Sequence, residues 1–197
     1  MASDFGCPAL ARICQFAENT YFGKPSGLMD QMGSSVGGAV AIDFADPAAP
    51  VVEKVEYDFT RSGHVLCIVD TGSCHADLTD DYTDITREMG AVAAHFGKQY
   101  LRQVEEAEFL AAIPALRAEC GDRAVLRALH FFEDDRRAAE ETKALKDGDF
   151  DRFLQLLRAS GLSSALHLQN TWSIAAPKQQ AIPMALAMGE RLLEGTG

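Results

Sequence analysis

Apolar residues recur at Leu10, Ile13, Cys14 and Ala17, the i, i+3, i+4, i+7 spacing of one helix face. The spacing predicts a helix that opens at Pro8, whose fixed φ suits a first turn, and closes near Asn19. Residues 20–25, TYFGKP, read as a loop. Ser26 is placed to cap a second helix from Gly27 to about Val36, with Gly37 and Gly38 ending it. The period then shortens. AVAIDF (39–44) and VVEKVEYDF (51–59) read as paired strands across an Asp46-Pro47 turn. HVLCIVDTG (64–72) reads as a buried strand, and CHADLTDDY (74–82) as an aspartate-rich loop.

From Thr83 onward the period is helical. Ile85, Met89, Val92, Ala93 and Phe96 share a face, with Gly97 as the stop. A second helix is expected over Glu105 to Cys120, broken or kinked at Pro114. A long charged helix follows over 122–146, ended by Gly148. Phe150 to Ser160 reads as a short amphipathic helix with Gly161 after it, and two more helices fall near 162–172 and 178–194. The pattern is that of an α+β protein with a helix-rich C-terminal half.

At 197 residues and 47% hydrophobic content the chain suits one or two domains. Its net charge of −11 repels a phosphate backbone, so nucleic acid is not an expected partner. The apolar run Val65 to Val69 is far short of the roughly 20 residues a membrane span needs, and the start MASDFGCPAL has no basic n-region. A soluble, cytoplasmic protein without a membrane partner is expected. Cys7, Cys14, Cys67, Cys74 and Cys120 are odd in number and form no CxxC, so buried free thiols are expected rather than disulfides or zinc. The five histidines show no HxxxH or HExxH spacing.

The chemistry concentrates in AENTYFGKPSGLMDQMGSSVGG, residues 17–38. Glu18 falls in the last turn of a helix, where the macrodipole disfavours a negative charge; Asp30 falls in the first turns of the next, where it is favoured. Two carboxylates flanking a tight Gly/Pro turn can face one cleft. One can hold Mg²⁺ and the other orient a hydroxyl nucleophile, the division of labour that phosphoryl transfer requires. On spacing alone the plainer readings stand beside it: Asp30 as a helix-dipole partner, Glu18 as a solvated surface residue.

Residues 15–38 closely resemble the galactokinase segment that reads A-E-N, a short glycine-containing loop, then C-G-I/L-M-D-Q, with the M-D-Q aspartate twelve residues after the A-E-N glutamate. The galactokinases belong to the GHMP kinase superfamily. The resemblance implies that Asp30 is the carboxylate beside the sugar's C1 hydroxyl, that Glu18 is the magnesium ligand, and that the backbone at Gly27 touches the sugar. VLCIVDTGSCHADLTDDY is similar to the family's strand, loop, histidine and tyrosine segment, which makes Tyr82 the residue that hydrogen-bonds a sugar hydroxyl; on its own Tyr82 reads as a cover for a helix start. Residues 128–164 resemble the family's H-x-x-E-x-x-R helix, its L-x-x-G-D turn and the serine element after it. His130, Glu133 and Arg136 read as structural, pairing along one helix face. Two departures stand out. Ser26 replaces a cysteine, and YTDITRE lacks the double arginine that follows the family's tyrosine.

The family's N-terminal arginine, its G-E-H-T-D-Y sugar segment, its G-L-S-S-S phosphate loop and its G-G-G-F segment have no counterpart here. Gly33-Ser34-Ser35 and Gly161 to Ser164 are serine-rich but misplaced, and nucleotide-binding residues are therefore unassigned. The family's motif order implies an internal slice: residues 1–60 as a remnant of the N-terminal lobe and 61–197 as a truncated C-terminal lobe with a small antiparallel sheet. The implied activity is ATP- and Mg²⁺-dependent phosphorylation of galactose by the full-length enzyme, with the slice itself inactive and prone to dimerise through exposed faces. The alternatives are a kinase of N-acetylgalactosamine or arabinose, and a kinase-derived sugar-binding regulator.

Overall fold

The computed structural model describes residues 6–23, 26–72 and 79–193, with the side chains of 79 and 80 excepted. The chain divides into two compact units. The first comprises Met1–His64 with Glu141–Phe150, and the second Val65–Glu140 with Asp151–Gly197.

In the first unit, α1 (Gly6–Tyr21) and α2 (Met29–Val36) precede an antiparallel hairpin of β1 (Ala39–Asp43) and β2 (Val51–Val55). Ala41 stands opposite Glu53 in the register. The expected turn forms because the Asp46 carboxylate accepts the Ala48 N–H at 2.8 Å while the Asp46 carbonyl accepts that of Ala49 at 3.0 Å. Gly37 ends α2 as expected, at φ 73°, a left-handed value that favours glycine, with its N–H donating to the Gly33 carbonyl. The core is small: Ala11, Leu28 and Met32, with Ile42, Phe44 and Val52 packed on it. A short 3₁₀ turn follows at Phe59–Arg61, and Tyr57, just before it, stacks on Phe150 with ring centroids 5.6 Å apart.

The second unit is helical. It holds α3 (Thr79–His95), a 3₁₀ turn (Leu101–Gln103), α4 (Glu106–Cys120), most of α5 (Asp122–Asp147) and most of α6 (Phe150–Ser163). A π-helical turn (Ser164–Leu168) and α7 (Ala181–Leu193) complete it. One continuous core joins Val92 and Ala93 of α3 to Leu101, Val104, Phe109, Leu116, Ala124, Ala128 and Phe132, with Met89 and Phe96 packed on it. The apolar face read along α3 is thus the buried one. Gly97 stops the helix at φ 66°. The whole is mostly helical with one small antiparallel sheet among the described residues, an α+β composition.

Several expectations are corrected. Residues 64–72 form no strand, and Val65, Leu66, Ile68 and Val69 are 85%, 94%, 92% and 72% exposed. Their β-forming composition is intact, but a strand exists only with a partner for its N–H and C=O groups, and the one described sheet is β1–β2. The stripe on α1 is not a buried face: Leu10 and Ile13 are half-exposed and Ala11 carries the burial. α1 also continues to Tyr21, beyond Asn19. The 74–82 loop ends early, since α3 begins at Thr79; residues 74–78 lie outside the described residues.

Pro114 does not break α4. The carbonyl that loses its donor is that of Leu110, a half-exposed residue, while Phe109 and Leu116 are fully buried and hold the flanking turns. Gly161 does not end α6, which runs to Ser163 and passes into the π turn; residues 169–172 and 178–180, expected to be helical, are irregular. Cys7, Cys14 and Cys67 are exposed free thiols rather than buried ones, Cys120 is half-buried, and Cys74 lies outside the described residues.

Candidate functional site

The last turns of α1 reach across to the residue that precedes Gly27. The Asn19 side-chain oxygen accepts both the N–H and the hydroxyl of Ser26 at 2.9 Å, and the Asn19 and Gln15 amides donate to the Ser26 carbonyl at 3.4 and 3.2 Å. Four hydrogen bonds thereby fix the entry to α2 from the turn that carries Glu18. Ser26 is consequently not the cap of α2. Its hydroxyl is committed to Asn19, and the N-cap position falls on Leu28, where no side chain caps the helix. The serine that stands for the family's cysteine has a definite partner.

The M-D-Q triplet divides by burial. Leu28 and Met32, four apart, are buried in the small core and set the rotation of α2. Asp30 is therefore turned outward, where it is exposed at a shallow groove with Gly33, Ser34, Gly38, Val40 and Ile42. Gln31 points inward, 9% exposed, and its side-chain oxygen has no partner among the described residues. A Cβ added at Gly27 or Gly33 meets nothing within 4 Å and neither residue has a left-handed φ. The chain's own packing does not demand glycine there, which leaves room beside Asp30.

Glu18, Gly27 and Asp30 thus belong to one unit and to the two ends of one clamped turn. Glu18 is half-buried. No group of three or more His, Cys, Asp or Glu suited to a metal occurs among the described residues. Glu18 and Asp30 are single carboxylates, a donor set that fits Mg²⁺ brought on a phosphate rather than an ion caged by protein.

Tyr82 belongs to the second unit and sits on α3, not in a loop. It is half-exposed and lines a cleft with Asp81, Ile85, Arg127, Asn170 and Trp172. Arg127 is 3% exposed; its guanidinium donates to Glu88 at 2.9 Å and to the Leu168 carbonyl at 3.1 Å. Burial pulls Arg127 below its ordinary pKa against the attraction of Glu88. Arg123 also grips Glu88, at 3.0 and 3.1 Å, and Asp84 at 3.1 Å. Ile85 and Thr86 stand where the family's paired arginines would lie; Arg87, the next residue, is bound to Asp84 at 2.7 Å, and that hydrogen bond holds the Asp84 carboxyl below its ordinary value.

On α5 the expected pairing along one face is corrected. Glu133 pairs with Arg137 at 2.6 Å, while Arg136 crosses to Glu106 on α4. His130 accepts or donates at 2.9 Å to Ser163, whose hydroxyl also lies 3.3 Å from His167 and 3.4 Å from Glu133. Gln15, Asn19 and Arg127 are not singled out by the sequence. Asn19 is within reach as the third letter of the A-E-N triplet, and Ser163 as part of the serine element; the contacts of Gln15 and Arg127 carry no signal outside the folded chain.

No family model matches the chain. Among curated proteins it is similar to the galactokinase of Streptomyces coelicolor, 31% identical over 181 residues, which is 91% of this chain and 45% of that protein. The galactokinase of Mycobacterium tuberculosis is 33% identical over 153 residues, 76% of this chain and 40% of that protein. That of Streptomyces lividans is 30% identical over 193 residues, 94% and 46%. The chain spans less than half the length of these relatives. By sequence it groups with the galactokinases.

Proposed function

We propose that this chain is part of a galactokinase-like sugar kinase of GHMP fold, cytoplasmic, whose complete form phosphorylates the C1 hydroxyl of galactose with ATP. The observation that supports it is the clamp of Asn19 and Gln15 on Ser26, which together with buried Leu28 and Met32 presents Asp30 outward at an open groove. Asp30 would accept or orient the C1 hydroxyl proton, the backbone at Gly27 would border the sugar, and Tyr82 would hydrogen-bond a sugar hydroxyl. Mg²⁺, when bound with the nucleotide, would neutralise charge on the transferred phosphoryl group, and Glu18 would hold it. In this reading residues 1–60 belong to the nucleotide-side lobe and 61–197 to the other, and the 197-residue chain does not turn over by itself. A second reading, a kinase of another sugar, is favoured by YTDITRE, in which Ile85 and Thr86 replace the family's paired arginines.

The test is Asp30→Asn in the complete enzyme, followed by coupled ADP release. General-base removal is expected to lower kcat by about 10²–10⁴-fold with the melting temperature nearly unchanged. Near-normal kcat with lowered stability would assign Asp30 to the helix dipole instead. A galactose-dependent ADP release by the 197-residue chain alone would overturn its proposed inactivity.

A further inference from the structure

We propose that Gly33 is the specificity-determining position of the Asp30 groove. Its missing side chain admits a sugar that carries an acylamino group, in place of a hydroxyl, on the carbon next to the reacting one. The inference deepens the sugar-kinase reading and rests on it for the placement of the reacting hydroxyl beside Asp30.

Gly33 lies inside α2, at the fifth of its eight residues. Glycine is the poorest helix former after proline, so its place in a helix interior needs a reason. The two ordinary reasons are absent. Gly37 and Gly38, which end the helix, have φ 73° and 76°, values that favour glycine. Gly33 has no such φ, and its carbonyl accepts the Gly37 N–H at 2.9 Å in a regular turn. Nor does any neighbour press on it, since a Cβ built there meets nothing within 4 Å. What the position does have is a place in the groove, three residues after Asp30 and on the same helix face. The side chain left out is groove volume.

The rest of the lining matches an acylamino group rather than a bare hydroxyl or an anion. Ser34, four residues after Asp30, is exposed, and its hydroxyl has no partner among the described residues. That of the adjacent Ser35 is already committed, donating to the Gln31 carbonyl at 2.6 Å. An open hydroxyl both donates and accepts, which suits either end of an amide. Val40 and Ile42, two apart on one face of β1, and Met29 supply apolar surface for a methyl. Among the described lining residues there is no cation, so a charged phosphate or carboxylate substituent would meet only the Asp30 carboxylate. A neutral amide with an apolar end fits this set.

Two measurements test this. In the 197-residue chain, Gly33→Ala should melt at or above the parent temperature, because alanine is the better helix former and its methyl finds open space. A lower melting temperature would return the glycine to the service of the fold and overturn the proposal. In the complete enzyme, coupled ADP release compares N-acetylgalactosamine with galactose, and the parent is expected to phosphorylate both. Gly33→Leu, which fills the groove, should lower kcat/KM for the acetamido sugar at least about tenfold more than for galactose. Gly33→Ala should move the ratio the same way by less, and decides the matter should the leucine variant not fold. A parent that takes galactose and rejects N-acetylgalactosamine overturns the proposal, and so does a ratio that neither Gly33 variant moves. Asp30→Asn separates this failure from that of the kinase reading. If it abolishes galactose turnover while the ratio ignores Gly33, the kinase reading stands and the groove assignment alone falls; if galactose turnover stays normal, both fall.

Discussion

The two units are stabilised differently. In the first, three buried residues and three packed neighbours form the core around Met32, and the turn bearing the candidate site is fixed by polar bonds from Asn19 and Gln15. In the second, ten buried residues make one cluster around Phe109 and Leu116, and charged networks lie at its edges. The lesson is that the first unit spends its order locally, on the angle of one helix start. The second spends it on a scaffold that carries irregular segments such as 164–173.

The largest effect is expected at Phe109, fully buried against Phe132 at 4.9 Å between centroids. Phe109→Ala should cost about 3–5 kcal/mol by lost transfer and cavity formation. Hydrogen exchange resolved by helix should quicken in α4 and α5 and leave α2 unchanged. Equal quickening in α2 would erase the distinction between the two cores.

Next comes Asn19→Ala, which removes three of the four bonds on Ser26. A stability loss of about 1–2 kcal/mol is expected from chemical denaturation. In the complete enzyme kcat should fall with it, because Asp30 loses its fixed approach. A drop in stability with kcat untouched would make the clamp purely structural.

Gln31→Met probes the opposite case, a buried oxygen that lacks a partner among the described residues. Replacing it by an apolar side chain of similar length should leave stability unchanged or raise it by about 1 kcal/mol. A loss above about 1 kcal/mol would show that the oxygen is satisfied after all.

The smallest expected effect is a slope. Burial lowers the His130 pKa from its ordinary 6.5, so the folded state favours the neutral ring. The unfolded chain then binds more protons than the folded one from about pH 6.5 down to the lowered value, and stability falls with falling pH across that window. Asp134, Glu133, Arg137 and His167 also face this ring and set the size of the slope. Melting temperatures at about pH 7.5 and pH 5.5 should differ less in His130→Gln than in the parent chain, and identical slopes would discharge His130.

Where the sequence was legible, the signal was local. The α3 stripe, the Gly37 and Gly97 stops and the Asp46-Pro47 hairpin each depend on residues a few positions apart, and all appear in the structure. What was not legible depends on distant groups. Ser26 was read as a cap because nothing in its neighbourhood shows that Asn19 would take its hydroxyl. Val65 to Val69 has a strand's composition, yet strand formation belongs to a pair. Arg136 was assigned to its own helix and found Glu106, thirty positions away. For the site, Asp30, Glu18 and Gly27 were legible as a motif, whereas the outward turn of Asp30 follows from the burial of Leu28 and Met32, and only the fold supplies that.

The exposed run Val65-Leu66-Cys67-Ile68-Val69 has a consequence at the bench. It holds no charge, no proline and no glycine, the composition from which cross-β stacks grow. Its middle residue is an open thiol. As concentration rises, copies of this chain are expected to meet through the same five residues, with air oxidation of two Cys67 thiols to a disulfide joining them. Dilution and reductant are expected to suppress it, and Leu66→Lys should act as a gatekeeper against it, read as less high-molecular-weight species by size-exclusion chromatography.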